Sequence, residues 1–285
     1  MAIYNGYKSK AEAHRYLQGQ GFNFGSAISK PESNPKVFKN QLQGVLSSPL
    51  HLAPWRLSGF NTCADASEGC KEACLNTAGN PIYAKGKERA RRVKTQAYFK
   101  ARAAFMAVVC FELEALEIKA KRVKMQGPFR PNATSDIAFE LVEVKVNNTT
   151  FSNIMEAFPN LEFYDYSKSL KRALKWAKGL MPSNYHITFS KSESNDDKVS
   201  QVLQAGGNVA VVFEKALPET YLGKQVINGD LHDFRPLDNK GVVVGLKAKG
   251  KAKTDLTGFT VRGVTSKLLG EERVDYIKNH FEGVV

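Results

Sequence analysis

Short apolar runs rich in β-branched and aromatic residues alternate along the chain with stretches whose apolar positions recur at helical spacing. The runs at 161–167 (LEFYDYS), 185–190 (YHITFS), 208–213 (NVAVVF) and 242–246 (VVVGL) predict strands, and 50–57 and 129–132 predict two more. Helices are predicted at 10–17, 82–124, 150–158, 170–178, 196–204 and, closing the chain, 274–281. In the longest of these, Met106, Val109, Cys110, Leu113 and Leu116 share one face, and Gly127-Pro128 stops it. Alternation of this kind is the βαβ signature of a parallel sheet. Six units predict an α/β fold, a partial (β/α)6 barrel with helices outside the sheet. Residues 1–45 read as a polar lead-in marked by Gly19, Gly21, Gly25, Pro31 and Pro35. No shift in composition marks a linker, so 46–285 is predicted as a single domain.

Composition removes several classes. The chain has 285 residues, 42% of them hydrophobic, so collagen-like and disordered readings are out. A fold of this size buries roughly three quarters of its unfolded surface and needs no disulfide or metal to hold it together. No apolar run approaches the roughly 18 residues of a membrane span. Residues 1–10 lack an apolar h-region, so the expectation is a protein made and kept inside a cell. The net charge is +13, which favours polyanionic partners. Residues 85–124 hold twelve Lys or Arg against four Glu. Nucleic acid is therefore a candidate partner, and a long helix with a solvated basic face is the competing reading.

In parallel α/β folds, sites form at the carboxyl ends of strands. The residues just past the predicted strand ends are polar. Asn132, Ser135 and Asp136 follow the second strand, and Asp165 and Lys168 lie at the end of the third. Asp230, Asp233 and Arg235 lie in the dense polar stretch between the last two. These eight are the pocket candidates. Helix caps, turns and buried salt bridges would explain the same residues.

The chain has four cysteines, and three of them, Cys63, Cys70 and Cys74, fall in one loop spaced C-x6-C-x3-C. So few thiols do not make a disulfide scaffold. Clustered in a reducing compartment, they can hold an iron–sulfur cluster or zinc, or be ordinary thiols. The loop follows the first strand, on the predicted site face, and the basic stretch from Lys85 to Lys94 comes soon after. Nearby positive charge lowers thiol pKa and favours an anionic cluster. Cys110 is the candidate fourth ligand. Its place between Val109 and Leu113 on an apolar face equally suits core packing. If Cys110 is no ligand, one iron is open to a small molecule.

A partial barrel with a three-cysteine loop after its first strand resembles the radical S-adenosylmethionine core. The usual spacing in that superfamily is C-x3-C-x2-C. At the level of sequence, several blocks together resemble an uncharacterised family of tailed-phage proteins. They are Leu50-His51-Leu52-Ala53-Pro54, Ser58-Gly59-Phe60-Asn61-Thr62-Cys63, Gly69-Cys70, Ala73-Cys74-Leu75-Asn76-Thr77-Ala78-Gly79, Ala90-Arg91, Lys94-Thr95, Arg130-Pro131-Asn132, Tyr164-Asp165-Tyr166-Ser167-Lys168, Asn228-Gly229-Asp230 and Asp233-Phe234-Arg235. These resemblances imply a phage-encoded protein of the host cell cytoplasm. They also imply an iron–sulfur cluster, of the 4Fe-4S type, on Cys63, Cys70 and Cys74. S-adenosylmethionine is the co-substrate that the architectural resemblance implies, for a redox or radical reaction.

Overall fold

In a computed structural model of the chain, which describes residues 2–31, 38–77 and 85–263, the apolar runs form the centre of one eight-stranded sheet. The strands are β1 (Ser48–Pro49), β2 (Phe129–Arg130), the separate hairpin of β3 (Val144–Val146) and β4 (Thr149–Phe151), β5 (Phe163–Ser167), β6 (Tyr185–Ser190), β7 (Asn208–Phe213), β8 (Thr220–Tyr221), β9 (Lys224–Asn228) and β10 (Val243–Lys247). The helices are α1 (Lys10–Gly19), α2 (Glu68–Glu72), α3 (Lys85–Lys100), α4 (Arg102–Arg122), α5 (Ile154–Ala157), α6 (Leu170–Ala177) and α7 (Asp196–Gln204). The sheet order is β1-β2-β5-β6-β7-β10-β9-β8. From β1 to β10 every neighbouring pair is parallel and the order follows the chain. That run lacks the reversal that defines a doubly wound sheet. Beyond it, β9 adds in parallel and β8 antiparallel.

Strand alternation divides the side chains between two faces. Phe129, Phe163, Ile187, Phe189, Val209, Val211 and Val243 join Phe105, Met106, Val109 and Leu113 of α4 in the main core. On the other face, Tyr164 packs with Phe234 and Val45. Residues 229–241 cross this second face, and their short 3-10 turn (Arg235–Leu237) lies against β5 and β6. Tyr4, Ala13, Leu17 and Ala27 of the lead-in are buried in the same main core, and α1 lies along α4.

Several predicted elements need correction. Residues 50–57 are irregular, with Leu50, Leu52, Ala53 and Pro54 buried and Arg56 exposed. Pro54 can give no ladder N–H and Trp55 sits at φ 39°, so β1 is the two residues before this run. The helix predicted at 82–124 is two helices, separated at Ala101 with φ −138° and ψ 49°. Tyr98 and Phe105 meet edge-on across that break, 6.0 Å apart. The helix predicted at 150–158 is half strand: β4 takes 149–151, and Asn153 then caps the short α5 by accepting from the Glu156 N–H. The closing helix at 274–281 lies outside the described residues. Among the described residues, no helix is long and apolar enough to cross a membrane.

Candidate functional site

The cysteine loop is built onto the carboxyl ends of the parallel strands. The Asp136 N–H donates to the Thr62 carbonyl at 2.8 Å, and the Thr134 hydroxyl donates to the Leu52 carbonyl. The loop is thus stitched to the segment after β2. Ser67 caps α2, its hydroxyl accepting from the Cys70 N–H. The Glu193 carboxylate, just past β6, accepts from the Ser67 hydroxyl at 2.8 Å and the Gly69 N–H at 2.9 Å. A Cβ on residue 69 would come within 2.7 Å of that carboxylate and meet the Thr257 hydroxyl as well. Only glycine allows so close an approach.

Cys63, Cys70 and Cys74 are all half-buried. The Cys63 sulfur accepts the Trp55 N–H at 3.3 Å. It lines a cleft of about 240 Å³ together with Trp55, Asn61 and Lys71. Burial pushes the Cys63 thiol up, against the pull of hydrogen bonds from Trp55 and Thr62, and the charges of Asp136 and Cys70 push it further. Burial likewise pushes Cys74 up to about 11. The Asn76 N–H and, more weakly, the Arg91 charge oppose that shift, while Cys70 and Cys63 add to it. The three thiols therefore lie close enough to feel one another's charge. Among the described residues, no three His, Cys, Asp or Glu side chains converge as a single metal ion would require. Cys110 is elsewhere. It is fully buried in α4 within the main core, and that apolar setting raises its pKa strongly.

The pocket candidates divide between the two faces. On the helix-covered face, Asp165 accepts from the Asn132 N–H and side-chain amide, at 2.8 and 2.7 Å, and from the Tyr185 hydroxyl at 2.7 Å. Ser135 donates to the Asn132 amide oxygen. Arg172 of α6 completes the network, pairing with Asp136 at 2.5 Å and Glu140 at 2.8 Å and donating to Tyr185. Burial pushes Asp165 up to about 6, against the Arg172 charge and the bonds from Tyr185 and Asn132. Asp136 also accepts the Lys168 N–H. Asn132, Ser135, Asp136 and Asp165 are thus brought together as a buried network that ties β2, β5 and β6 to a helix.

On the opposite face, Arg130 pairs with Asp233 at 2.8 Å, and the Tyr164 hydroxyl donates to the same carboxylate at 3.2 Å. Arg235 is fully buried. It pairs with Asp238 at 3.0 Å and donates to the His232 carbonyl. These ion pairs hold residues 229–241 across the sheet. Asp230 sits at the rim, accepting from the Lys247 N–H and pairing with Lys249 at 2.6 Å.

Between these regions lies the mouth, where the strand ends face the cysteine loop. Lys168, buried past the end of β5, donates to the Ser190 hydroxyl at 2.7 Å and lies over the Phe259 ring. His51, just past β1, shares a hydrogen bond with Ser29 at 3.2 Å. Burial lowers His51 to about 3, and the charges of Arg91, Lys94 and Arg130 lower it too. Lys94 of α3 is buried and donates to the Ala27 carbonyl at 3.0 Å. Burial, with Arg91 beside it, lowers its pKa to about 8. Arg91 donates to Asn76 in the cysteine loop. The basic stretch is therefore not one solvated face, because Arg91 and Lys94 turn inward and the first half of α4 is core.

His51, Arg91, Lys94 and Arg130 were not among the candidates drawn from the sequence. His51 lies inside the strand predicted at 50–57 and Lys94 in a basic helix, so neither position carried a local signal. A cleft of about 540 Å³ is lined by residues such as Glu140, Asn153, Lys175 and Met181, and by none of the predicted site residues.

The profile of a family described as Gene product 88 matches residues 24–263. No curated protein and no solved structure gives a significant match.

Proposed function

The chain belongs to the Gene product 88 family, and from that premise we propose that it is an iron–sulfur protein. Cys63, Cys70 and Cys74 would hold the cluster at the mouth of a partial barrel formed by β1, β2, β5, β6, β7 and β10. This agrees with the resemblance to a phage protein family seen in the sequence. The observation that carries the reading is the state of the three thiols. They sit within range of one another's charge, and the sulfurs of Cys63 and Cys74 each accept a backbone N–H. Hydrogen bonds to sulfur are one of the means by which a protein tunes a cluster. Zinc draws all its ligands to one point, at about 2.3 Å from each sulfur. In a cubane each thiolate would bind a different iron.

Three thiols carried by one loop are the donor set such a group would use. A 4Fe-4S cluster held by three thiolates would supply one-electron chemistry at an iron left open to a small molecule. The chain's own residues do the rest. Thr62 and Trp55 orient Cys63, Glu193 fixes the helix that carries Cys70, and Arg91 lends positive charge beside Cys74. Cys110 has no part in it.

The test is anaerobic purification with counts of iron, sulfide and zinc and a visible absorption spectrum. About four irons and four sulfides per chain are expected, lost in each of Cys63→Ala, Cys70→Ala and Cys74→Ala and kept in Cys110→Ala. One zinc per chain, no metal, or a full complement of iron in Cys70→Ala would overturn the reading. With a cluster in hand, a change in its electron paramagnetic resonance spectrum on adding S-adenosylmethionine decides for or against a radical reaction.

A further inference from the structure

The mouth of the sheet carries more positive charge than its own residues answer. Lys94 and Lys168 are both buried, and neither forms an ion pair among the described residues. Lys94 meets a carbonyl, and Lys168 a hydroxyl and the face of the Phe259 ring. The acid nearest in effect to Lys94 is Glu112, and that carboxylate is already held by Lys10 at 2.6 Å and the Ile28 N–H. Asp233 is held by Arg130, Asp136 by Arg172, and Glu193 by Ser67 and Gly69. An ammonium taken out of water without a counter-charge is costly. Lys94 and Arg91 act on His51 together with Arg130, and Lys168 follows by two residues the Tyr166 ring that carries the Arg130 guanidinium; this run of cations marks a place for an anion from outside the chain.

A second observation is independent of charge. Among the described residues, Arg130 Nε and the Tyr166 hydroxyl are both buried without a hydrogen-bond partner. They lie together, the Arg130 guanidinium being 4.7 Å from the centre of the Tyr166 ring. Buried polar atoms are almost always paired, so two orphans on one wall indicate a missing acceptor. His51, held neutral, adds a ring nitrogen to the same mouth.

We propose that this mouth binds a small molecule carrying a phosphate group, with Arg91, Lys94, Arg130 and Lys168 as the cationic lining. A carboxylate brings a single negative charge. A phosphate group brings close to two and several acceptor oxygens, which suits forked guanidinium and ammonium donors. The proposal stands on the arrangement of these side chains and does not depend on a cluster.

The probe is inorganic pyrophosphate, with acetate as the monovalent control. Binding is measured by calorimetry and by the shift in melting temperature, on the full chain both as purified anaerobically and after chelation. Pyrophosphate should bind both forms at least tenfold more tightly than acetate. Lys94→Met and Arg91→Gln should each lose tenfold or more, while Lys121→Met, on the exposed surface, should not. Because Lys94→Met removes an unanswered buried charge, its melting temperature without ligand should equal or exceed that of the parent, which separates lost binding from lost folding. No shift with pyrophosphate, or unchanged affinity in Lys94→Met, overturns the proposal. So does binding confined to the chelated form, because the counter-charge would then be the cluster. Binding of an oligonucleotide but not of pyrophosphate would also overturn it.

Discussion

The two polar regions beside β5 are made from similar residues and differ in their balance. On the helix-covered face, Arg172 is answered by Asp136 and Glu140, and Asp165 is wrapped by three donors from Asn132 and Tyr185. At the mouth, Lys94 and Lys168 are answered by neutral groups, a carbonyl for the first and a hydroxyl and the Phe259 ring for the second. Closed networks hold elements together, because every desolvated charge has its partner in the same chain. The open one accepts a cost to stability that pays only when something else arrives. Polar residues at strand ends therefore do not form one class, and the missing counter-charge is what separates a site from a strut.

Cutting the closed network gives the largest expected effect. Arg172→Met leaves two buried carboxylates unpaired and should cost about 3–5 kcal/mol in urea denaturation. Arg172→Lys should restore little, since an ammonium cannot reproduce the fork that grips both oxygens of Glu140. A loss below about 1 kcal/mol would mean the network is decoration.

Acid should come next. His51 and His186 are both lowered to about 3, chiefly by burial, and stay neutral in the folded chain. The unfolded chain binds more protons between pH 6.5 and about 3. Their contribution is complete above 6.5 and is lost as pH falls through that window. Asp165, raised to about 6, works the other way: the fold binds its proton more tightly, so it loses stability as pH rises from about 4 towards 6. Two histidines outweigh one carboxyl, so melting temperature should fall on acidification. His51→Asn with His186→Asn should flatten that limb, and an unchanged limb would assign acid sensitivity elsewhere.

Gly69→Ala should cost about 1–3 kcal/mol, because the new methyl meets the Glu193 carboxylate and overpacking has that price range. On the proposed cluster reading, the same variant should also lower iron content, measured per folded chain. Lys168→Met gives the smallest expected change, within about 1 kcal/mol of neutral and on the stabilising side, since it removes a buried charge and keeps the volume. A loss as large as that of Arg172→Met would erase the distinction between the two regions.

Much of the sheet is legible in the sequence. YHITFS and NVAVVF become β6 and β7 with unchanged ends, because short runs rich in β-branched and aromatic residues favour a pleated, buried strand. Residues 50–57 are also largely apolar but form an irregular loop, and Pro54 was the warning. The β3–β4 hairpin carried its own signal, Asn147-Asn148 between VKV and TTF, with Asn147 at φ 54°. Among the pocket candidates, Asp136 and Asp165 stand out by position. Their partners Arg172 and Tyr185 lie on a helix and a neighbouring strand, and nothing local in the sequence pairs them. The inward turn of Lys94 is equally silent, because a lysine in a basic helix looks solvated until a carbonyl 67 residues away is seen to receive it.

The clasp between Gly69 and Glu193 also sets a timetable. The two residues are 124 positions apart, so at about 5–20 residues per second the ribosome delivers Glu193 roughly 6–25 s after Gly69. Through that interval Cys63, Cys70 and Cys74 have left the tunnel without the strand end that seats them. A nascent chain of this design exposes its thiols before the strand end that seats them exists, so the loop takes its folded form only after residue 193 has emerged.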